Sequence, residues 1–193
     1  MTPMRPTQED IRKLHSEVNQ IVNQRLTVTT LSVTVFAVII AWLIPRDSVG
    51  IATEVGLFRF AAVILLIVVL FSLFLLTHHL SAMLRLITTY LEITDASIWE
   101  KDWSTYRKQY RYIGYTIPQA MIFLLLGILS TVFPLLLGLA YKIKLEPLGY
   151  AILCFGLGCL YIIGVIGMGF WRWGAKEDQF KEQWQKLLEL KDR

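Results

Sequence analysis

Leu57–Leu76 reads LFRFAAVILLIVVLFSLFLL. Twenty residues pass with a single charge, Arg59, placed at the start of the run, where its aliphatic stem lets the guanidinium snorkel to a polar boundary. The run lacks the polar alternation of a surface helix or a half-buried strand. As a helix it extends about 30 Å, the thickness of a bilayer's hydrocarbon core. It predicts a membrane span.

The same pattern recurs on both sides. Leu26–Ile44 is a second apolar run, ended by Pro45. Ile117–Tyr141 is a third, with Thr116 as the expected N-cap and Pro118 in the first turn, where a missing N–H costs little. Leu148–Trp171 is the fourth. The whole chain has 193 residues, 55% of them hydrophobic and 18% charged, and the apolar excess sits in these four runs. That distribution excludes a disordered chain and an ordinary soluble enzyme. A secreted disulfide scaffold is excluded as well. Only Cys154 and Cys159 are present, and on one helix they point about 140° apart. The polar helix ahead of Leu26 makes the first run unlike a cleavable signal peptide.

The expected fold is therefore an all-α integral membrane protein with four transmembrane helices and three amphipathic cytoplasmic helices. The expected divisions are 1–25 for an N-terminal helix, 26–79 for spans one and two, 80–115 for a helical connection, 116–171 for spans three and four, and 172–193 for a C-terminal helix. Orientation follows from the basic residues. Fifteen of the nineteen Lys and Arg lie before Leu26, between Leu80 and Tyr115, or after Trp171; Arg46, Arg59, Lys142 and Lys144 lie on the other side. By the positive-inside rule both termini are cytoplasmic, in what is expected to be a bacterial inner membrane. The net charge of +4 is explained by these flanks facing anionic lipid. The outer connections, Arg46–Gly56 and Lys142–Pro147, are short, so a sizeable partner is expected on the cytoplasmic side or within the bilayer.

Helix grammar is strongest at the N-terminus. Thr7 and Asp10 form a capping-box pattern, followed by Ile11, Leu14, Val18 and Ile21 at spacings of three, four and three. This stripe packs on its own subunit or the bilayer, or else builds an oligomer stem. In the middle connection Leu80–Ile93 stays largely apolar, so the second helix is expected to project beyond the membrane before a break at Thr94 and Asp95. Beyond it Trp99, Trp103, Tyr106 and Tyr110 recur at four, three and four residues among Lys101, Arg107, Lys108 and Arg111. Aromatic rings beside cations suit the headgroup layer or a cytoplasmic protein partner. Single-stranded nucleic acid also stacks on such stripes, but direct nucleic-acid binding is disfavoured here. In the C-terminal segment, an interfacial Trp171-Arg172-Trp173-Gly174 belt is followed by an expected kink, and Phe180, Trp184, Leu187 and Leu188 then line one side of a charged helix.

Within the spans, Gly149, Gly156, Gly164 and Gly167 project near one face of the fourth helix. Small residues allow close backbone approach, a main source of helix affinity in lipid, so these are expected to serve helix packing or a subunit interface. Thr27, Thr30 and Thr34 share a face of the first span. They either line a pore or bond their own i−4 carbonyls in lipid. No acidic or basic residue lies in the middle third of any span, which argues against a proton-coupled transporter. His78 and His79 diverge by about 100° on a helix, a poor metal pair. There is no phosphate-binding glycine loop, zinc-ligand cluster or nucleophile–base set, so no cofactor, metal or catalytic residue is assigned.

The organisation resembles the many small bacterial four-span membrane proteins, some of which accompany signalling or phage-defence machinery. The resemblance covers length, span count and cytoplasmic termini, and it implies no activity or residue role. The expected function is a non-catalytic, homo-oligomeric membrane protein that scaffolds or signals to a cytoplasmic partner. An ion-conducting or permeabilising pore is the alternative, and a membrane enzyme or transporter the next.

Overall fold

The computed structural model describes residues 7–44, 53–94, 102, 105–106, 116–141, 148–171 and 173–191. Helix α1 spans Gln8–Leu43, α2 Thr53–Ile93, α3 Thr116–Tyr141, α4 Leu148–Ile166 and α5 Trp173–Lys191, with a π-helical turn, Gly167–Trp171, after α4. Four of these helices are long and apolar enough to cross a membrane.

The first helix starts where its sequence says it should. Thr7 Oγ1 accepts the Asp10 N–H at 3.2 Å, and Asp10 Oδ2 accepts the Thr7 N–H at 3.0 Å, closing the capping box. α1 then runs without a break from its polar N-terminal half into the apolar run. It stops at Leu43, and Ile44 turns extended because the following Pro45 disfavours helical geometry there.

Helix α2 is the axis of the molecule, packed against α1, α3, α4 and α5. Its 41 residues extend about 60 Å, twice the hydrocarbon thickness. The projection past Leu80 therefore exists as one continuous helix. It closes at Thr94, whose backbone N–H and hydroxyl both donate to the Tyr90 carbonyl. Asp95, the other half of the expected break, lies outside the described residues. Helix α3 begins at Thr116 itself, the expected cap residue and one position ahead of the expected start at Ile117.

The core fills the angle between α2, α3 and α4. Leu66, Leu70 and Phe123 are fully buried there, joined by Val63, Phe74, Leu126, Tyr161 and Val165. Phe74 meets Phe123 edge-on at 5.5 Å and Phe71 meets Tyr161 at 5.8 Å. Such ring pairs add directional attraction to dispersion, which matters in lipid where apolar transfer gives helices no reason to associate. Tyr161 completes the joint by donating its hydroxyl to the Phe123 carbonyl at 2.9 Å.

Two glycines make this closeness possible. A Cβ on Gly127 would lie 2.1 Å from the Tyr161 ring, and one on Gly158 would lie 2.1 Å from Thr131 Oγ1. Further along, Pro134 sits inside α3, and a crevice of about 250 Å³ separates α3 from α4 between Thr131, Leu135, Ile152 and Phe155.

Helix α5 follows the π turn and packs against α2. Trp184 Nε1 donates to the Leu86 carbonyl at 3.1 Å, its ring lies 4.7 Å from Tyr90, and Lys181 pairs with Glu92 at 2.7 Å. Phe180, Trp184 and Leu188 are half-buried, whereas Leu187 of the expected stripe is exposed.

Candidate functional site

Polar residues that border the apolar runs converge at one level. Arg25 immediately precedes the apolar run of α1, Thr77 immediately follows that of α2, and Gln119 lies in the first turn of α3. Arg25 is buried, with only 8% of its surface exposed. Its Nη2 donates to Gln119 Oε1. The other end of the amide, Nε2, donates to Thr29 Oγ1 at 2.6 Å, and Thr29 donates in turn to the Arg25 carbonyl at 2.9 Å. The loop closes on itself and fixes which way the amide points.

This closed loop joins α1 to α3, and it carries a charge. Among the described residues no carboxylate reaches Arg25, and its Nε meets no hydrogen-bond acceptor. A buried cation held by a neutral amide is costly to leave unmatched, so Gln119 is the group on which the arrangement depends.

Gln119 also lines a cavity of about 10 Å³ with Thr77, His78 and Ser81 of α2. Phe74, Phe123, Ala120 and Gly169 complete its walls. Ser81 donates to the Thr77 carbonyl at 2.8 Å, and the His78 ring lies 6.1 Å from that of Phe74. His79 faces outward, so the histidine pair diverges as its spacing implied. The π turn approaches closely here: a Cβ on Gly169 would lie 3.0 Å from Ala120 Cβ. π turns recur at functional positions because they break the regular helix ladder.

The residues singled out from sequence are distributed differently. Thr27, Thr30 and Thr34 are all exposed on α1; Thr27 donates to the Asn23 carbonyl and Thr34 to that of Thr30. In the fourth span, Gly149, Gly156 and Gly167 face nothing within 4 Å, whereas Gly164 packs against Phe71. The close approaches inside the chain are made by Gly158, Gly164, Gly169 and Gly127. Of the aromatic stripe, Tyr106 is exposed; Trp99, Trp103 and Tyr110 lie outside the described residues.

Sequence reasoning missed the joining of Arg25 to Gln119 and the seat of Tyr161 on Gly127. The first had a signal, since polar side chains at the border of two runs at matching depth need a partner. The second had none without the packing.

Outside the spans, Lys186 holds the Glu182 carboxyl below its usual range through an exposed hydrogen bond and charge, and is itself raised. Among the described residues no three His, Cys, Asp or Glu side chains gather to hold a metal ion.

These features define an all-helical, multi-spanning membrane protein. No protein-family model, curated protein or solved structure matches the chain.

Proposed function

We propose that this protein is a non-catalytic, self-associating membrane scaffold, in which α1 meets a second copy and α5 presents a surface to a cytoplasmic partner. One observation carries the proposal. Ser16, Gln20, Asn23, Thr27, Thr30, Thr34, Ala37 and Ala41 recur along α1 at alternating spacings of four and three, and every one of them is exposed. The opposite face of the helix, with Ile21, Arg25, Ser32 and Leu43, is the buried one.

A heptad-spaced seam is the geometry by which two helices remain in register. In lipid, small and hydroxyl-bearing residues supply the close approach and hydrogen bonds that drive association. A groove of about 820 Å³ runs beside the seam, bounded by Asn19, Gln20 and Gln24 on α1 and by Leu76 and Leu80 on α2. It gives a second helix a place to lie. The Lys and Arg distribution supports placing this polar end in the cytoplasm, the side on which partners are most accessible.

The test is disulfide cross-linking in native vesicles, with Cys154 and Cys159 replaced by serine. Thr27→Cys, Thr30→Cys and Thr34→Cys should each give cross-linked dimers. Leu26→Cys and Val33→Cys, exposed but off the seam, should not. Equal cross-linking at all five positions, or at none, overturns the proposal.

A second reading rests on the same exposed threonines. Several copies gathered around α1 would turn Thr27, Thr30 and Thr34 toward a common axis and form a pore. Ion flux through liposomes that falls when Thr30 is enlarged to Leu would select the pore over the dry scaffold.

A further inference from the structure

We infer that the cavity between Thr77, His78, Ser81 and Gln119 is a binding site for one structural water molecule that ties α2 to α3. Thr77 has 3% of its surface exposed, and among the described residues its Oγ1 meets no hydrogen-bonding atom. The helix offers that hydroxyl a local solution. Ser32, Ser81, Ser130 and Thr131 are equally buried, and each donates to the carbonyl four residues before it. Thr77 alone of these five leaves its own carbonyl ladder unused while lining the cavity.

The space fits the ligand. About 10 Å³ is close to the room that one water centre needs, and a buried water takes two to four polar partners. The Thr77 hydroxyl, the Gln119 amide, the His78 ring and Ser81 supply that polar lining.

The chemistry disfavours an ion. Among the described residues no carboxylate lines the cavity, and the Gln119 oxygen already accepts from the Arg25 guanidinium, so a cation would meet neutral oxygens beside a fixed positive charge. An anion would find two of the donors committed: Ser81 to the Thr77 carbonyl and Gln119 Nε2 to Thr29. Water both donates and accepts, which suits a hydroxyl facing an amide.

The position gives the site its consequence. Gly169 brings the π turn against Ala120 at the cavity wall, so the water sits where the end of the fourth span meets α2 and α3. Through Gln119 it adjoins the hydrogen-bonded loop that holds Arg25.

Thr77→Val decides the matter by sign. It keeps the side-chain shape and deletes the hydroxyl. If the hydroxyl were truly without a partner, the variant would be more stable than wild type. With water bound, the folded-to-unfolded ratio in lipid bicelles should instead fall on the order of tenfold, and Thr77→Ser should retain most of it. A Thr77→Val protein as stable as wild type, or more so, overturns the inference.

Wild-type protein in lipid vesicles gives a test that does not depend on a variant folding. Water-edited solid-state NMR should show rapid transfer from water to the Thr77 and Gln119 side chains and none to Ser130. Absence of transfer at Thr77 overturns the inference. So does stability that rises when gluconate is exchanged for chloride, because the ligand would then be an anion.

Discussion

Helix α1 and the joint between α2, α3 and α4 lie in the same membrane but are built on different terms. In the most apolar stretch of α2, 39% of residues are buried within the chain; in that of α1 the share is 11%. The joint is made of large rings set over glycines, with Phe123 and Leu66 fully enclosed. α1 is attached along one face, mainly to α2, and presents hydroxyls, amides and alanines on the other. The difference teaches where to look for partners. An exposed leucine in lipid asks for nothing, since the acyl chains are as apolar as it is, whereas an exposed row of small and polar groups gains from meeting another helix.

The contrast is broken most sharply by truncating a ring in the joint. Phe123→Ala removes a fully buried side chain that contacts Phe74 and leaves a cavity between three helices. It should cost about 3–5 kcal/mol of unfolding free energy. Val38→Ala, on the exposed flank of α1, should cost less than about 0.5 kcal/mol. Reversible unfolding in mixed micelles measures both. Comparable losses would mean that α1 is as deeply integrated as the other three helices.

The next largest effect distinguishes the glycines. Gly127→Ala drives a methyl group into the Tyr161 ring, and relief requires α3 and α4 to separate. Overpacking of this kind costs about 1–3 kcal/mol. Gly156→Ala meets nothing within 4 Å and should leave the monomer's stability unchanged. If Gly156→Ala nevertheless dissociates an oligomer, as read by native mass spectrometry from nanodiscs, the subunit contact lies on α4 rather than α1. That outcome would sharpen the comparison by moving the partner-seeking face.

The glycines also show how far the sequence could be read. Four spans were legible because twenty uncharged residues in a row admit few alternatives, and the Thr7–Asp10 box was legible because it is local. The long projection of α2 past Leu80 followed from apolar residues continuing beyond the width of a bilayer. Tertiary contacts were not legible to the same degree. A helical projection places Gly149, Gly156, Gly164 and Gly167 together, yet it says nothing about which face meets a neighbour. The packing is set by the large partners, Tyr161 for Gly127 and Thr131 for Gly158. The Arg25–Gln119 bond spans 94 positions and depends on the depth at which two helices cross. The threonines of α1 were read from their shared face, but only the fold shows that this face is left exposed.

The smallest effect concerns the N-terminal end of α1, where the capping box is exposed. The Asp10 carboxyl is fully exposed, and the hydrogen bonds from Thr7 hold it below its ordinary value, with Lys13 adding a weaker attraction. A carboxyl depressed by folding favours the capped helix at pH values above its ordinary range, and that contribution disappears as pH falls through the depressed value. Backbone chemical shifts of residues 8–12 should therefore stay helical down to the ordinary carboxylate range of about 4 and drift toward coil only below it. Asp10→Ala should show the same fraying at neutral pH. Cross-linking through Thr30 should be unaffected, because Thr30 lies about five turns from Asp10 and its register is held by the packed face of α1. Fraying well above that carboxylate range would mean that the box does not hold the first turn. Loss of cross-linking with the cap would mean that the first turn of α1, and with it the polar half of the seam, is part of the subunit contact.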